Sequence, residues 1–323
     1  MRYVHRLLGG PLTFVRLSRH TTFIVGGLAL SSLVLARPVL ISFGVRVERP
    51  ENLPAMEKDM SDWLHNLPVA WMALVVFVAT YLVAGGIYGV VMALAGGERA
   101  RTFKAMSPGM LPPLGIIFGL FVAFLAAQVW SDFDRAQAAV NHEASALRAV
   151  VLLIASFPGE PEARMRSLVR RQIEEAAMQE WPSMYRHRAT LTMIPASLAE
   201  ALQLTLALTP RGDGQVAAQR QILVSLENAL DARRQRIIVS GSIVNWVKWT
   251  SVLLQAVCTL LAIAMVHSDN RITAAIAMAI FATGVAVSVV LIASHNGPFS
   301  GEISVGPDLL LQVMPEERIP TGP

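Results

Sequence analysis

Charge is scarce in this chain of 323 residues. Asp, Glu, Lys and Arg make up 15% of it, hydrophobic residues make up 54%, and mean hydropathy is +0.50. An ordinary soluble domain carries about 25% charged residues, so one soluble core cannot absorb the apolar excess. Cysteine is almost missing as well. Cys258 stands alone, which excludes a disulfide within the chain and any multi-cysteine metal centre. In its apolar run it reads as a small buried residue. Helix breakers are absent over long distances: there is no glycine or proline from Leu120 to Phe157, and between Gln215 and Val266 only Gly241.

Catalytic signatures are lacking too. His142-Glu143 opens like a zinc-protease helix, but the position of the required second histidine is Ala146. There is no GxxxxGK phosphate loop and no GxSxG elbow, and the seven histidines show no helical metal-site spacing. Arg211-Gly212-Asp213 sits between helical stretches and reads as a turn. The expectation is therefore no enzyme, no metal and no cofactor. A nucleic-acid surface would need a dense basic face with aromatic residues among the charges. The basic excess, a net +4, sits instead in a short start holding Arg2, Arg6, Arg16 and Arg19. Nucleic acid is not expected as a partner.

What the sequence does have is apolar blocks. A helix crossing a bilayer needs about 20 mostly apolar residues, and five stretches qualify: Thr21–Gly44, Leu67–Ala95, Leu111–Trp130, Ile243–Val266 and Ile272–Ala293. The first holds Arg37 and Pro38 and has the alternative reading of a signal peptide cut after Ala36, which Pro38 and the apolar continuation VLISFGV oppose. Trp71, Trp130, Trp246 and Trp249 suit interfacial belts. The fold class that follows is all-α: a polytopic membrane protein with about five transmembrane helices and a helical soluble domain between spans three and four. Its parts are a basic cytoplasmic N-terminus (1–20), the first two spans and their loops (21–110), the third span (111–130), the soluble domain (131–243), the last two spans (244–293) and a C-terminal tail (294–323).

Orientation follows from the short loops, since cytoplasmic ones carry the Lys/Arg excess. Residues 45–66 hold three basic and five acidic residues, whereas 96–110 hold Arg99, Arg101 and Lys104 against Glu98. Alternation puts the N-terminus in the cytoplasm of a bacterial inner membrane. The soluble domain and the C-terminus then lie on the periplasmic side.

Within 131–243 there are 13 Arg, no Lys and 12 acids. The pattern is helical: Val140, Ala144, Leu147, Val151 and Ile154 share a face, as do Met165, Val169, Ile173 and Ala176, and Val216, Leu223, Leu226, Leu230 and Ile237. Breaks fall at SFPGEP, Trp181-Pro182, Pro195 and TPRGDG, which predicts about four antiparallel helices. Trp181-Pro182 is expected to end a helix, because proline disfavours α geometry in the residue before it. The third span should run into the domain as one helix, and the return to the fourth span should be nearly unbroken.

Several residues could carry function. Gly115, Gly119, Ala123 and Ala127 form a small-residue stripe on the third span, and Gly85 and Gly89 a shorter one on the second. Such stripes admit close helix approach, either within one chain or toward a pore or another subunit. Further along the same helix, Gln128, Asp132, Arg135, Ala139 and Glu143 keep to one face. They read either as a solvated face or as the charged mouth of an ion pathway. Arg37 in lipid would cost roughly 2.5–3.5 kcal/mol, so it either snorkels to the interface or faces a polar cavity or acidic partner. Lys248 is expected to snorkel.

The stretch FGLFVAFLAAQVWSDFDRAQAAVNHEASAL, the later Glu180-Trp181-Pro182 and the terminal GPFSGEISVGPDLL resemble a bestrophin-like family of bacterial membrane proteins, a domain of unknown function. The resemblance spans roughly residues 110–312 and leaves the first two spans mostly outside. Matching positions are Phe118, Gly119, Ala123, Phe124, Trp130, Glu143, Ala144, Leu147, Glu180, Trp181, Pro182, Pro298, Phe299, Gly301, Glu302 and Val305. It implies paired spans around a helical insert and, by the bestrophin label, a homo-oligomeric channel conducting a small inorganic ion. Bestrophins carry their large domain in the cytosol, opposite to the side the loop charges give here. No bestrophin-type pore sequence is present to carry over. Pro298 and Gly301 are expected to set a turn after the last span. Glu143 and Glu180 are expected to pair with a bundle arginine such as Arg148 or Arg171, or else to form a site. The partners expected are the lipid bilayer, further copies of the chain and an ion. The alternative reading is a sensor or scaffold whose outer helical domain binds a ligand or partner protein.

Overall fold

The computed structural model describes residues 68–95, 107–186, 188–191 and 194–316. The basic N-terminus, the first expected span with Arg37, the loop after it and most of the 96–110 loop lie outside the described residues.

Among the described residues the secondary structure is all helical, in two halves. The apolar half holds four helices long and apolar enough to cross a membrane. They are α1 (Val69–Leu94), the first part of α2 (Leu111–Leu153), α7 (Trp246–Val266) and α8 (Arg271–Ser294). α8 packs along α1, and α7 packs against α1, α2 and α8. Phe118, Leu125 and Val129 of α2 meet Val252 and Ala256 of α7 and Val285 and Ile292 of α8. The helix starts are chemically marked. Pro112 and Pro113 sit in the first turn of α2, where the missing N–H has no intrahelical partner to lose. Asn245 accepts from the Val247 amide at the start of α7, and Asn270 from those of Ile272 and Thr273 at the start of α8.

α2 is 43 residues long and, at about 1.5 Å per residue, far exceeds one bilayer crossing. Its second part enters the bundle half. There it packs chiefly against α6 (Asp213–Ser240), with α3 (Glu160–Glu175), α4 (Trp181–Tyr185) and α5 (Ala196–Ala207) completing the layer. The core is shared by Val140, Leu147 and Val150 of α2, Met165 and Ile173 of α3, Leu198 of α5, and Ile222, Leu226 and Ala229 of α6, each 0–1% exposed. The short α9 (Asp308–Gln312) adds Leu310, so part of the C-terminal tail belongs to this core.

Three expectations need correction. First, Trp181-Pro182 does not end a helix. A π-helical turn, Ala176–Glu180, joins α3 to α4, and Trp181 keeps helical angles (φ −57°, ψ −50°). The Trp181 amide reaches back to the Ala176 carbonyl, and this wider ring accommodates Pro182, which has no amide to offer. Second, the return to the apolar half is broken: α6 stops at Ser240, and residues 241–245 separate it from α7. Third, the buried face of α6 runs through Ile222, Leu226, Ala229, Arg233 and Arg236, while Val216, Leu223 and Leu230 are only half-buried. Ala229 and two arginines point inward beside Ile222, Leu226 and Ile237.

Candidate functional site

The most densely built cluster is an ion-pair network in the bundle. It grows from α6, where spacings of four and three keep Ile222, Leu226, Ala229, Arg233 and Arg236 on the core face. Arg236 is 0% exposed. Its Nε donates to Glu143 Oε2 at 2.7 Å and its Nη2 to Glu143 Oε1 at 3.2 Å, a two-pronged contact with α2. The same Nη2 donates to Glu180 Oε2 at 2.7 Å. Arg233 closes the set, with Nε 2.7 Å from Glu180 Oε1. The Arg236 guanidinium also lies 4.4 Å from the centre of the Trp181 ring, a cation–π contact strengthened by the dry surroundings.

Two carboxylates face two guanidiniums, so the cluster is neutral as a whole. Burial alone would raise the Glu180 carboxyl, but Arg236 and Arg233 outweigh it and hold the group below its ordinary value. Burial would likewise lower Arg236, and Glu143 and Glu180 outweigh it and raise the guanidinium. Both shifts favour the charged forms of Glu180 and Arg236. Its chemistry is clamping: it ties α2, the π-turn and α6 together through paired charges.

Trp181 extends the cluster toward the C-terminus. Its Nε1–H donates to the Val305 carbonyl at 3.0 Å, and its ring meets Phe299 edge-on with centres 5.9 Å apart. Gly297 and Gly301 have φ of 117° and 86°, a region glycine enters freely and other residues rarely. Pro298, Phe299 and Gly301 thus form the expected turn. Glu302 accepts from the Val69 amide at 2.9 Å, at the start of α1.

A second polar group lies where α2 passes from one half to the other. Lys248 of α7 donates to Gln128 of α2, and Asp132 pairs with Arg135 one turn on. Asp132 is buried and Arg135 exposed. With Ala139 and Glu143 also buried, most of the stripe is the side of α2 turned toward the rest of the chain, and Arg135 is its solvated edge. Trp130 stacks on His295 at 5.5 Å, and Trp71, Trp130 and Trp246 are exposed. The small-residue stripe lies elsewhere on α2. Gly119, Ala123 and Ala127 are exposed, and a Cβ added at Gly115 or Gly119 would meet nothing within 4 Å. The same holds for Gly85 and Gly89 on α1. Neither stripe serves packing among the described residues.

Glu143 and Glu180 are thus paired, but with Arg236 and Arg233. Arg148 is exposed and Arg171 meets Glu200 at 3.6 Å. The signal that could have identified the true partners is the core-face register of α6, in which 233 and 236 continue 222, 226 and 229. Among the described residues no group of His, Cys, Asp and Glu could hold a metal ion.

Four long apolar helices joined to an ion-clamped helical bundle define the class: an all-helical protein built to meet a bilayer. The chain belongs to the Bestrophin-like domain family, which it matches over residues 69–310. The match begins at α1, so the second span lies inside the family domain rather than mostly outside it. The fold is similar to that of a bacterial bestrophin homologue from Klebsiella pneumoniae, solved as a point mutant, with a TM-score of 0.56 at 13% identity, covering 75% of this chain and 96% of that one. It is also similar to two crystallised point mutants described as membrane proteins. One has a TM-score of 0.57 at 13% identity over 74% of this chain and 96% of that one, and the other 0.56 at 14% over 75% and 95%. No curated protein matches the chain.

Proposed function

We propose that the chain is a subunit of an oligomeric ion channel or channel-like transporter of the bacterial inner membrane. α2, α7 and α8 form its pathway, and the bundle forms a vestibule or gate in water on the periplasmic side. The observation that carries this reading is α2 itself. One unbroken helix presents an open small-residue face in its apolar half and is anchored in the bundle through Glu143. Close helix approach needs such a face, and the described residues leave it unused, which supports a neighbouring subunit or the pathway as what it meets. Family membership and the fold shared with a bestrophin homologue support the same assignment. Gln128, Asp132 and Arg135 sit where ions would enter, with Arg37 as a further pathway residue. Glu143 acts there as the anchor of α2.

The test is ion flux from liposomes holding the purified chain, together with its mass in detergent. The expected result is an oligomer whose flux changes on Asp132→Asn or Arg37→Gln, and whose assembly or flux is lost on Gly119→Leu. A stable monomer without flux overturns the reading. Sidedness is checked by labelling Arg148→Cys in a Cys258→Ser background, which membrane-impermeant reagents should reach from the periplasm.

A further inference from the structure

After α8 the chain is first buried, then exposed at 302–304, and buried again at Val305. Asn296, Gly297, Pro298, Phe299 and Ser300 are all buried, and Val305 is 4% exposed. A loop of this kind must find partners for its polar groups, and the partners found lie on three separate elements. Asn296 Oδ1 accepts from the Val244 amide at 2.7 Å, in the joint between α6 and α7. Glu302 accepts from the first amide of α1. The Val305 carbonyl accepts from Trp181, beside the π-turn of the bundle.

We propose that residues 296–305 form a strap that couples the bundle to the ends of α1 and α7, with Trp181 as the point at which the bundle grips it. The ring of Trp181 also lies under the Arg236 guanidinium, so a shift of the π-turn moves the ring. The ring then pulls on Val305 and Phe299, and the strap carries the displacement to Val244 and Val69. The 241–245 break makes this route matter, since no continuous helix links α6 to α7. On the channel reading the strap is the regulatory element through which a bundle movement reaches the pathway. That consequence, unlike the coupling itself, rests on the reading given above.

Hydrogen exchange of the full chain in lipid nanodiscs tests the coupling directly. Trp181→Phe keeps an aromatic ring but removes the donor to Val305 together with the pyrrole half of the indole. Exchange over residues 296–305 should rise about fivefold, as expected for one lost buried hydrogen bond. The rise should spread to the first turn of α1 and to Val244 while the α2–α6 core stays protected. A rise confined to the neighbourhood of Val305, or no rise, overturns the proposal. If Trp181→Phe does not fold, Phe299→Leu should give the same spread, and a local effect there overturns it equally. Flux measured on the same variants separates the two ideas: a wild-type chain without flux ends the channel reading, and the exchange pattern alone decides the strap.

Discussion

The two halves of the molecule solve the burial problem in opposite ways. In the bundle, core side chains of α2, α3, α5 and α6 are 0–1% exposed. In the apolar half, only 11% of the most apolar stretch of α1, and of α2, is buried inside the chain, against 39% for α7 and 28% for α8. Ile116, Leu82 and Ile280 are about 70% exposed (70%, 69% and 69%). Water makes such exposure costly, whereas lipid does not, because acyl chains are as apolar as leucine. The contrast teaches that the described apolar half needs a bilayer or further protein around it, while the bundle has a closed core of its own.

Substitutions sharpen the contrast. The largest effect is expected at Arg236: Arg236→Met strands Glu143 without a partner and should cost about 3–5 kcal/mol, read by thermal melting in detergent. Adding Glu143→Leu should recover much of that loss, and a double variant as unstable as the single one would show that the clamp does more than neutralise charge. Next is core truncation on the single helix that crosses both halves. Leu147→Ala should cost about 2–5 kcal/mol, whereas Ile116→Ala, on the open face, should stay within about 0.5 kcal/mol. Similar costs at the two positions would erase the distinction between the halves.

Acidity gives a smaller effect with a defined sign. The folded Glu180 carboxyl sits below its ordinary value of 4.5, so its contribution is complete above that value and is lost as pH falls through the depressed one. Stability of the bundle should therefore be insensitive to Glu180 through neutrality, and Glu180→Gln should flatten the acid limb of a melting curve. An acid limb that is the same in both proteins would detach Glu180 from acid unfolding. Smallest is Lys248→Met, which removes the bond to Gln128 at an exposed site and should change stability by less than about 1 kcal/mol.

Much of this architecture was legible because two periodicities are strong. The apolar blocks locate α1, α7, α8 and the start of α2 to within a few residues, and the spacing of Met165, Val169 and Ile173 marks the core face of α3. The absence of glycine and proline after Gly119 foretells the unbroken α2. The network was half legible. Glu143, Glu180 and Trp181 stand out in the sequence, but their partners are 93, 56 and 124 residues away, and local spacing says nothing about contacts at that range. The inward arginines of α6 were obscured because burial of a charge is favourable only when its counter-charges are in place, and those sit on other helices. The strap was legible only as a turn, since its purpose lies in which elements it touches.

The π-helical turn also fixes a phase. A residue in an α-helix is rotated about 100° from its neighbour, and the extra residue in Ala176–Glu180 shifts everything beyond it by that amount relative to α3. This offset lets two adjacent residues, Glu180 and Trp181, both reach the single guanidinium of Arg236. Deleting one residue from the turn would leave α3 intact and rotate the pair away, unhooking the far end of the chain without touching any of the groups that hold it.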